Sequence, residues 1–175
     1  MKWSKKELAK HISEVAVLYG DFLLRSGQRS NYYIDKYLFT SNPEILSELG
    51  GWFESYARQH NIQRLAGAEL GGIPIVTAAS LQTGLPAFYV RNKKKEYGSS
   101  KKIEGSFNKG DRVMLVEDIC TTGGQIIEAA NDIQSLGGQV DIIVSVIDRE
   151  AGAKERINKA GFFYTCILTK SDLGI

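Results

Sequence analysis

The alternation of apolar and polar positions along the chain predicts a repeated order of strands and helices. Between residues 64 and 169, short apolar runs alternate with segments in which apolar positions recur every three or four residues. We expect strands at RLAGAE, PAFYVRN, RVMLVEDI, QVDIIVSVIDRE and FFYTCILT, a turn at GGIP, and helices at IVTAASLQTG, GGQIIEAANDIQSLGG and AGAKERINKAG. This order favours a mostly parallel sheet with helices on both faces.

The first 60 residues follow a different pattern. Ser4–Glu7 has the spacing of a capping box at the start of a helix. The apolar positions that suit this first helix are Leu8, Ile12, Val15 and Val17. FLLRSG and SNYYIDKYLF flank the turn-rich SGQRS and predict an extended, hairpin-like excursion, and Pro43 begins a second helix. No linker or internal repeat is evident, so we predict a single domain over residues 1–175.

A polar, basic stretch interrupts the strand–helix order between residues 92 and 108. Its sequence, NKKKEYGSSKKIEGSFN, contains glycines and no apolar periodicity. A loop of this length inside a compact domain is usually functional or disordered. A solvated surface loop is the other interpretation.

Composition narrows the classes of function. The chain has 175 residues, of which 43% are hydrophobic and 24% charged, as in an ordinary globular domain. A net charge of +2 is too small to indicate nucleic acid or an anionic membrane as a partner. There is no apolar run of about 18 residues and no signal-peptide pattern. Two cysteines, Cys120 and Cys166, provide neither a disulfide framework nor metal-site spacing, which favours a reducing, cytoplasmic setting.

The most informative segment is VMLVEDICTTGGQIIEAA, from Val113 to Ala130. Its predicted strand ends in Glu117 and Asp118, and ligands of open parallel sheets bind beyond such strand ends. Thr121–Gly124 then leads into a helix N-terminus, where backbone N–H groups and the helix dipole favour a phosphate. Two carboxylates would repel that phosphate unless they face hydroxyl groups of the same ligand, and a ribose 5-phosphate fits this requirement. No Gly-Lys-Ser/Thr follows, and the acidic pair precedes the glycines, so neither a Walker loop nor a Rossmann fingerprint is indicated.

This string resembles the phosphoribosyl-diphosphate (PRPP) signature of type I phosphoribosyltransferases. Phe22–Phe39 resembles the hood of the orotate phosphoribosyltransferases, and the segment 67–91 resembles their pyrophosphate-loop strand and helix. Arg91–Gly105 resembles their mobile catalytic loop, and Val146–Ala153 the strand end after the donor site. The resemblance spans nearly the whole chain in the expected order.

The resemblance implies a type I phosphoribosyltransferase fold: a mostly parallel twisted sheet flanked by helices, with a small N-terminal hood formed largely by residues 1–40. It implies transfer of the phosphoribosyl group of PRPP to orotate, giving orotidine 5-monophosphate and diphosphate in pyrimidine synthesis. It also implies Mg²⁺ held mainly through PRPP rather than by protein ligands. The implied assembly is a homodimer in which each catalytic loop closes over its neighbour's donor site.

By the same resemblance, individual residues acquire expected roles. The expected catalytic residues are Lys95 and Asp118. The expected PRPP-binding residues are Arg91, Lys95, Tyr97, Glu117, Asp118, Ile119, Cys120, Thr121, Thr122, Gly123, Gly124 and Gln125. The expected orotate-binding residues are Arg25, Tyr32, Tyr33, Thr121 and Arg149, since a guanidinium suits the orotate carboxylate. For the two tyrosines, ordinary packing within the hood is an equal alternative.

Some positions depart from the family pattern. Asn92 stands where many relatives have lysine, Tyr97 where many have histidine, and Gly71 where some have lysine. We expect Lys93 or Lys94 to compensate for the missing cations. Cys120 is interpreted as a small apolar filler and not a nucleophile.

Two other functions fit the donor signature alone. One is a phosphoribosyltransferase for a purine base, and the other is a PRPP-binding regulator without turnover. The hood and the loop favour orotate over a purine, and the long basic loop favours chemistry over regulation.

Overall fold

The computed structural model of the protein describes residues 1–23, 27, 29–91 and 102–175. The N-terminal elements are α1 (Lys5–Ala16), β1 (Val17–Leu23), β2 (Arg29–Ile34), α2 (Lys36–Thr40) and α3 (Pro43–Gln59). The next elements are β3 (Arg64–Ala68), α4 (Glu69–Thr83), β4 (Ala87–Val90), β5 (Ile103–Glu104) and β6 (Arg112–Cys120). The last elements are α5 (Gly124–Ser135), β7 (Gln139–Asp148), α6 (Ala153–Lys159), β8 (Tyr164–Thr169) and a 3₁₀ helix (Ser171–Leu173).

The main sheet has the strand order β5-β4-β3-β6-β7-β8. Its neighbours pair in parallel, except that β5 pairs antiparallel with β4. Strand β6 lies between β3 and β7, and its residues Val113–Val116 are fully buried. A near-continuous apolar strand of this kind is typical of a parallel sheet covered on both faces. The predicted α/β architecture is therefore confirmed.

Two hydrophobic clusters cover the two faces of this sheet. The first includes residues of α1, α3 and α4, among them Leu8, Phe53 and Ile75. The second includes residues of α5 and α6, such as Ile126 and Ile157. Burial of these apolar helix faces against the sheet is what fixes the position of the carboxyl ends of the strands. Within the described ranges, none of the helices has both the length and the apolar character needed to cross a bilayer.

The hood consists of the antiparallel β1–β2 hairpin followed by α2. The predicted capping box at Ser4 and Glu7 is present, but Val17 does not continue α1. Val17 instead begins β1, where it is buried and pairs with Ile34, because a β-branched side chain packs well on a strand. The segment from Lys36, expected to be extended, forms α2, since the Asp35 carboxylate caps it by accepting a hydrogen bond from the Tyr37 N–H.

Two further segments differ from the expectation. GGIP was expected as a turn, yet α4 already begins at Glu69 and includes Pro74. The glycines there permit close packing of α4 on β3: a Cβ on Gly72 would lie 3.0 Å from the Gly67 carbonyl carbon. In the polar stretch after residue 91, Ile103–Glu104 adds a short edge strand because Ile103 is buried and pairs with Val90.

Candidate functional site

The loop between β6 and α5 forms a phosphate-sized recess at the carboxyl edge of the sheet. A cavity of about 100 Å³ is lined by Glu117, Ile119, Cys120 and residues 121–126. Thr121 and Thr122 are exposed, and no side chain in the described ranges caps the first turn of α5. Gly123 has φ +75°, and a Cβ there would lie 2.7 Å from Ile157 Cγ1. Only glycine suits that position, and the uncapped N–H groups remain available to an anion.

The two adjacent carboxylates differ in exposure, although they lie close enough for the charge of Asp118 to act on Glu117. Glu117 lines the recess, whereas Asp118 is 1% exposed. Asp118 Oδ1 accepts a hydrogen bond from the Ile119 N–H. Burial, together with the charge of Asp118, raises the pKa of Glu117 well above its ordinary range, and the positive charge of Lys36 opposes the shift only in part.

A residue of the hood reaches this acidic pair. The Lys36 ammonium lies 2.8 Å from Asp118 Oδ2. Burial alone would lower the pKa of Lys36, but contact with Asp118 and its negative charge outweigh that effect, so the pKa is raised. Sequence reasoning missed Lys36, because residues 36 and 118 meet only once α2 is placed against β6. In the sequence, the one sign of a role for Lys36 is its position directly after Asp35, the residue that caps α2.

Gly71, at the start of α4, makes room for this ion pair. A Cβ on Gly71 would lie 1.5 Å from Asp118 Oδ2 and 2.8 Å from Lys36 Nζ. The position that lacks a side chain is therefore filled by the Asp118 carboxylate, with an ammonium from the hood beside it. The expected compensating cations Lys93 and Lys94 lie outside the described residues.

Arg149, the expected partner of the orotate carboxylate, follows β7 and faces the hood. Its guanidinium carbon lies 5.9 Å from the centre of the Tyr32 ring, so two predicted orotate-binding residues meet. Tyr33 points to the other face of β2 and lies 5.7 Å from Phe22, ring centre to ring centre. For Tyr33, the contact is thus packing within the hood, the alternative left open by the sequence.

The backbone around Arg149 is held from both sides. The Arg149 N–H donates to the Cys120 carbonyl at 2.9 Å, and the Lys170 N–H donates to the Asp148 carbonyl at 2.7 Å. Glu150, at φ +56°, donates its N–H to Asp148 Oδ1 and accepts two hydrogen bonds from Ser171 through Oε2. These contacts tie the residues around Arg149 to the end of β6 and to the C-terminal 3₁₀ helix.

Of the remaining predicted residues, Arg91 is the one within the described ranges. Arg91 lies at the carboxyl end of β4, with Nη1 3.9 Å from Glu104 Oε1. Arg25, Lys95 and Tyr97 lie outside the described residues, so their expected roles stay predictions.

Cys120 has no feature of a nucleophile. Its thiol is buried, and burial raises its pKa to about 12, so the thiol stays protonated near neutral pH. The interpretation of Cys120 as a small apolar filler agrees with this environment. Over the described parts of the chain, there is also no group of three or more His, Cys, Asp or Glu side chains arranged to hold a metal ion.

Comparison with known proteins identifies the family. The family described as "Phosphoribosyl transferase domain" matches residues 39–172. The chain belongs to the phosphoribosyltransferase family. Orotate phosphoribosyltransferase of Pyrococcus horikoshii is 45% identical to this phosphoribosyltransferase over 171 residues, which cover 96% of this chain and 92% of the relative.

Solved structures support the same assignment of fold. Orotate phosphoribosyltransferase of Mycobacterium tuberculosis in complex with Fe(III) dicitrate has a TM-score of 0.88 at 33% identity, covering 98% of this chain and 99% of that one. The same enzyme in complex with PRPP has a TM-score of 0.84 at 32% identity, with coverage of 98% and 99%. The predicted type I phosphoribosyltransferase fold is confirmed. The family match starts at residue 39, so Tyr32 and Lys36 of this phosphoribosyltransferase lie in the part of the hood that precedes the matched region.

Proposed function

We propose that the protein catalyses the orotate phosphoribosyltransferase reaction, in which the phosphoribosyl group of PRPP passes to orotate and diphosphate leaves. One observation carries the proposal: Arg149 meets Tyr32 of the hood and is joined through its N–H to Cys120, at the edge of the loop that would hold the donor. An anion-binding recess and a guanidinium under an aromatic ring thus lie at the same edge of the sheet. Relatives that match nearly the whole chain are named orotate phosphoribosyltransferases.

The donor would bind along the β6–α5 loop. The uncapped N–H groups of α5 and the hydroxyls of Thr121 and Thr122 suit its 5-phosphate. Glu117 and Asp118 lie at the end of β6 beside that recess, and their carboxyl oxygens would accept hydrogen bonds from the ribose 2- and 3-hydroxyls. The burial of Asp118 against Gly71 gives this acceptor one fixed direction.

Arg149 would pair with the orotate carboxylate, since the planar guanidinium matches a carboxylate with two parallel hydrogen bonds. Tyr32 would cover one face of the pyrimidine ring from the hood. The hydrogen bonds that join Glu150 to Asp148 and to Ser171 would keep the neighbouring Arg149 in place before orotate binds, which lowers the entropic cost of binding.

Mg²⁺ is the expected cofactor. Glu117 and Asp118 offer the oxygen ligands that Mg²⁺ prefers, and we expect the ion to be held mainly through PRPP oxygens. When bound, Mg²⁺ neutralises part of the charge of the leaving diphosphate.

The chemistry needs no covalent enzyme intermediate. The orotate nitrogen displaces diphosphate at ribose C1 with inversion of configuration, and the enzyme positions the two reactants and stabilises charge. The protonated Cys120 thiol takes no part. Arg91 and the basic segment after it, including Lys95 and Tyr97, would supply positive charge to the departing diphosphate.

We further propose a cytoplasmic homodimer in which each catalytic loop closes over its neighbour's donor site, with no nucleic-acid or membrane partner. Large apolar side chains exposed on the hood and at the start of α4 support a protein-covered surface there. These side chains are Leu18, Tyr19, Leu23, Tyr33, Tyr37, Leu38 and Leu70.

The test is the loss of orotate absorbance on mixing the purified protein with PRPP, Mg²⁺ and orotate, with one diphosphate released for each orotate consumed. Adenine, hypoxanthine, xanthine and uracil serve as control bases. Consumption of a purine in place of orotate would replace the proposal with a purine transferase. PRPP binding without consumption of any base would identify a regulator instead.

A further inference from the structure

Lys36 makes a contact that the donor must disturb. Its ammonium is 2.8 Å from Asp118 Oδ2, and its side chain remains 33% exposed while that of Asp118 is 2% exposed. Within the described ranges this buried oxygen has no hydrogen bond of regular geometry, and the Lys36 ammonium is its ion-pair partner. A buried carboxylate needs a partner, and the Lys36 ammonium is the counterion of Asp118 before the donor binds.

The ion pair also lies against the N-terminus of a long helix. The Lys36 ammonium is 2.8 Å from the place where a Gly71 Cβ would be, in the first turn of the 15-residue helix α4. No side chain in the described ranges caps that helix. The positive end of a helix and an ammonium beside it both attract an anion.

When the ribose hydroxyls occupy the Asp118 carboxylate, the ammonium loses its first partner. The uncapped N-terminus of α4 lies beside the ammonium, so an anion bound there would be a new partner for Lys36. Lys36 begins helix α2, so its flexible side chain can make this change without moving the hood backbone.

We propose that Lys36 is a diphosphate-binding residue that pairs with Asp118 in the free protein and moves to the diphosphate of the donor when the ribose engages Asp118. This inference rests on the proposed function, because it takes the ligand to be a ribose diphosphate. It assigns to the hood a cation that acts on the donor within the same chain.

Binding of the two halves of the donor tests the inference without turnover. Titration calorimetry would measure the Kd of magnesium diphosphate and, separately, of ribose 5-phosphate for wild type, Lys36→Met and Lys36→Arg. Lys36→Met should weaken diphosphate binding about 10- to 100-fold, the effect of one charge-assisted contact. Ribose 5-phosphate should bind as well as before or more tightly, because its hydroxyls no longer compete with the ammonium. Lys36→Arg should restore most of the diphosphate affinity.

Lys10→Met is the control, since Lys10 pairs with Glu14 at 3.8 Å on the exposed face of α1. It should leave both Kd values unchanged. Thermal unfolding verifies that each variant is folded, and Lys36→Gln replaces Lys36→Met if the latter unfolds.

Two outcomes would overturn the inference. Equal weakening of both ligands would mean that Lys36 only holds Asp118 in place, and unchanged diphosphate binding would mean that Lys36 does not reach it. If wild type binds neither ligand and consumes no orotate with PRPP, the proposed function itself has failed. If orotate is consumed and only the Lys36 effect is missing, the function stands and the inference alone falls.

Discussion

Gly71→Ala should damage the donor site through a single methyl group. The added Cβ would lie 1.5 Å from Asp118 Oδ2, and Cβ contacts below 3.0 Å are essentially never seen. The carboxylate must therefore move away by about 1.5 Å. That movement breaks the Lys36 ion pair or the hydrogen bond from the Ile119 N–H. Each contact to a charged group contributes about 1.5–3 kcal/mol, and Ala in place of Gly returns up to about 1 kcal/mol in a helix.

We therefore expect a net loss of about 0.5–2 kcal/mol in the free energy of unfolding. The larger effect should fall on activity, because a reactive group misplaced by about 1 Å can cost about 10²-fold in rate. We predict a decrease of about 10²-fold in kcat/KM for PRPP, with orotate saturating. Steady-state kinetics and urea unfolding measure the two quantities on the same preparation.

Gly51→Ala provides the control. Gly51 is also helical, in α3, and its added Cβ would meet Met1 atoms at 3.1 Å, which can give way. This variant should keep wild-type kinetics and gain slightly in stability. If Gly71→Ala keeps wild-type kcat/KM while folded, the packing of Asp118 on Gly71 is irrelevant to donor binding and the reasoning is refuted.

Three further predictions concern the acceptor, the assembly and pH. Arg149→Ala should raise the KM for orotate at least about tenfold and that for PRPP far less, and a selective PRPP defect would count against this role of Arg149. Mixing inactive Lys95→Ala and Asp118→Ala chains under subunit exchange should restore about a quarter of wild-type activity if the loop acts in trans, and no recovery despite verified exchange would exclude that arrangement. Because the pKa of Glu117 is raised in the folded protein, the protonated Glu117 carboxyl stabilises the fold at pH below the ordinary pKa of 4.5. This stability is lost as pH rises through the raised pKa. Glu117→Gln cannot ionise, so its Tm relative to wild type should increase as pH rises above 4.5, and a constant difference would show that Glu117 titrates normally.

The succession of strands and helices along the chain and the position of the β6–α5 loop could be predicted because both are local in the sequence. Apolar runs and glycine-rich turns mark the strand ends, and the acidic pair stands directly before Thr121–Gly124. The hood contacts could not be predicted in this way. Lys36, Gly71 and Asp118 are far apart in sequence and meet only through the packing of α2, α4 and β6.

Errors in the prediction have the same origin. The GGIP segment has the composition of a turn, but close packing of α4 against Gly67 of β3 explains its glycines better. Tyr32 and Tyr33 are not an error of this kind: they lie on opposite faces of β2, Tyr32 beside Arg149 and Tyr33 beside Phe22, and an orotate-binding role for either stays a prediction.

A competition among bases tests the central claim most directly. Limiting PRPP and Mg²⁺ would be mixed with the protein and equal concentrations of orotate, adenine, hypoxanthine, xanthine and uracil, and the nucleotide products would be quantified by mass. The product ratio reports the ratio of kcat/KM values, and a site built to pair with a carboxylate should reject bases that lack one. We predict that orotidine 5-monophosphate exceeds every other nucleotide by at least about 10³-fold. A purine nucleotide as the main product, or no nucleotide at all, would contradict the account.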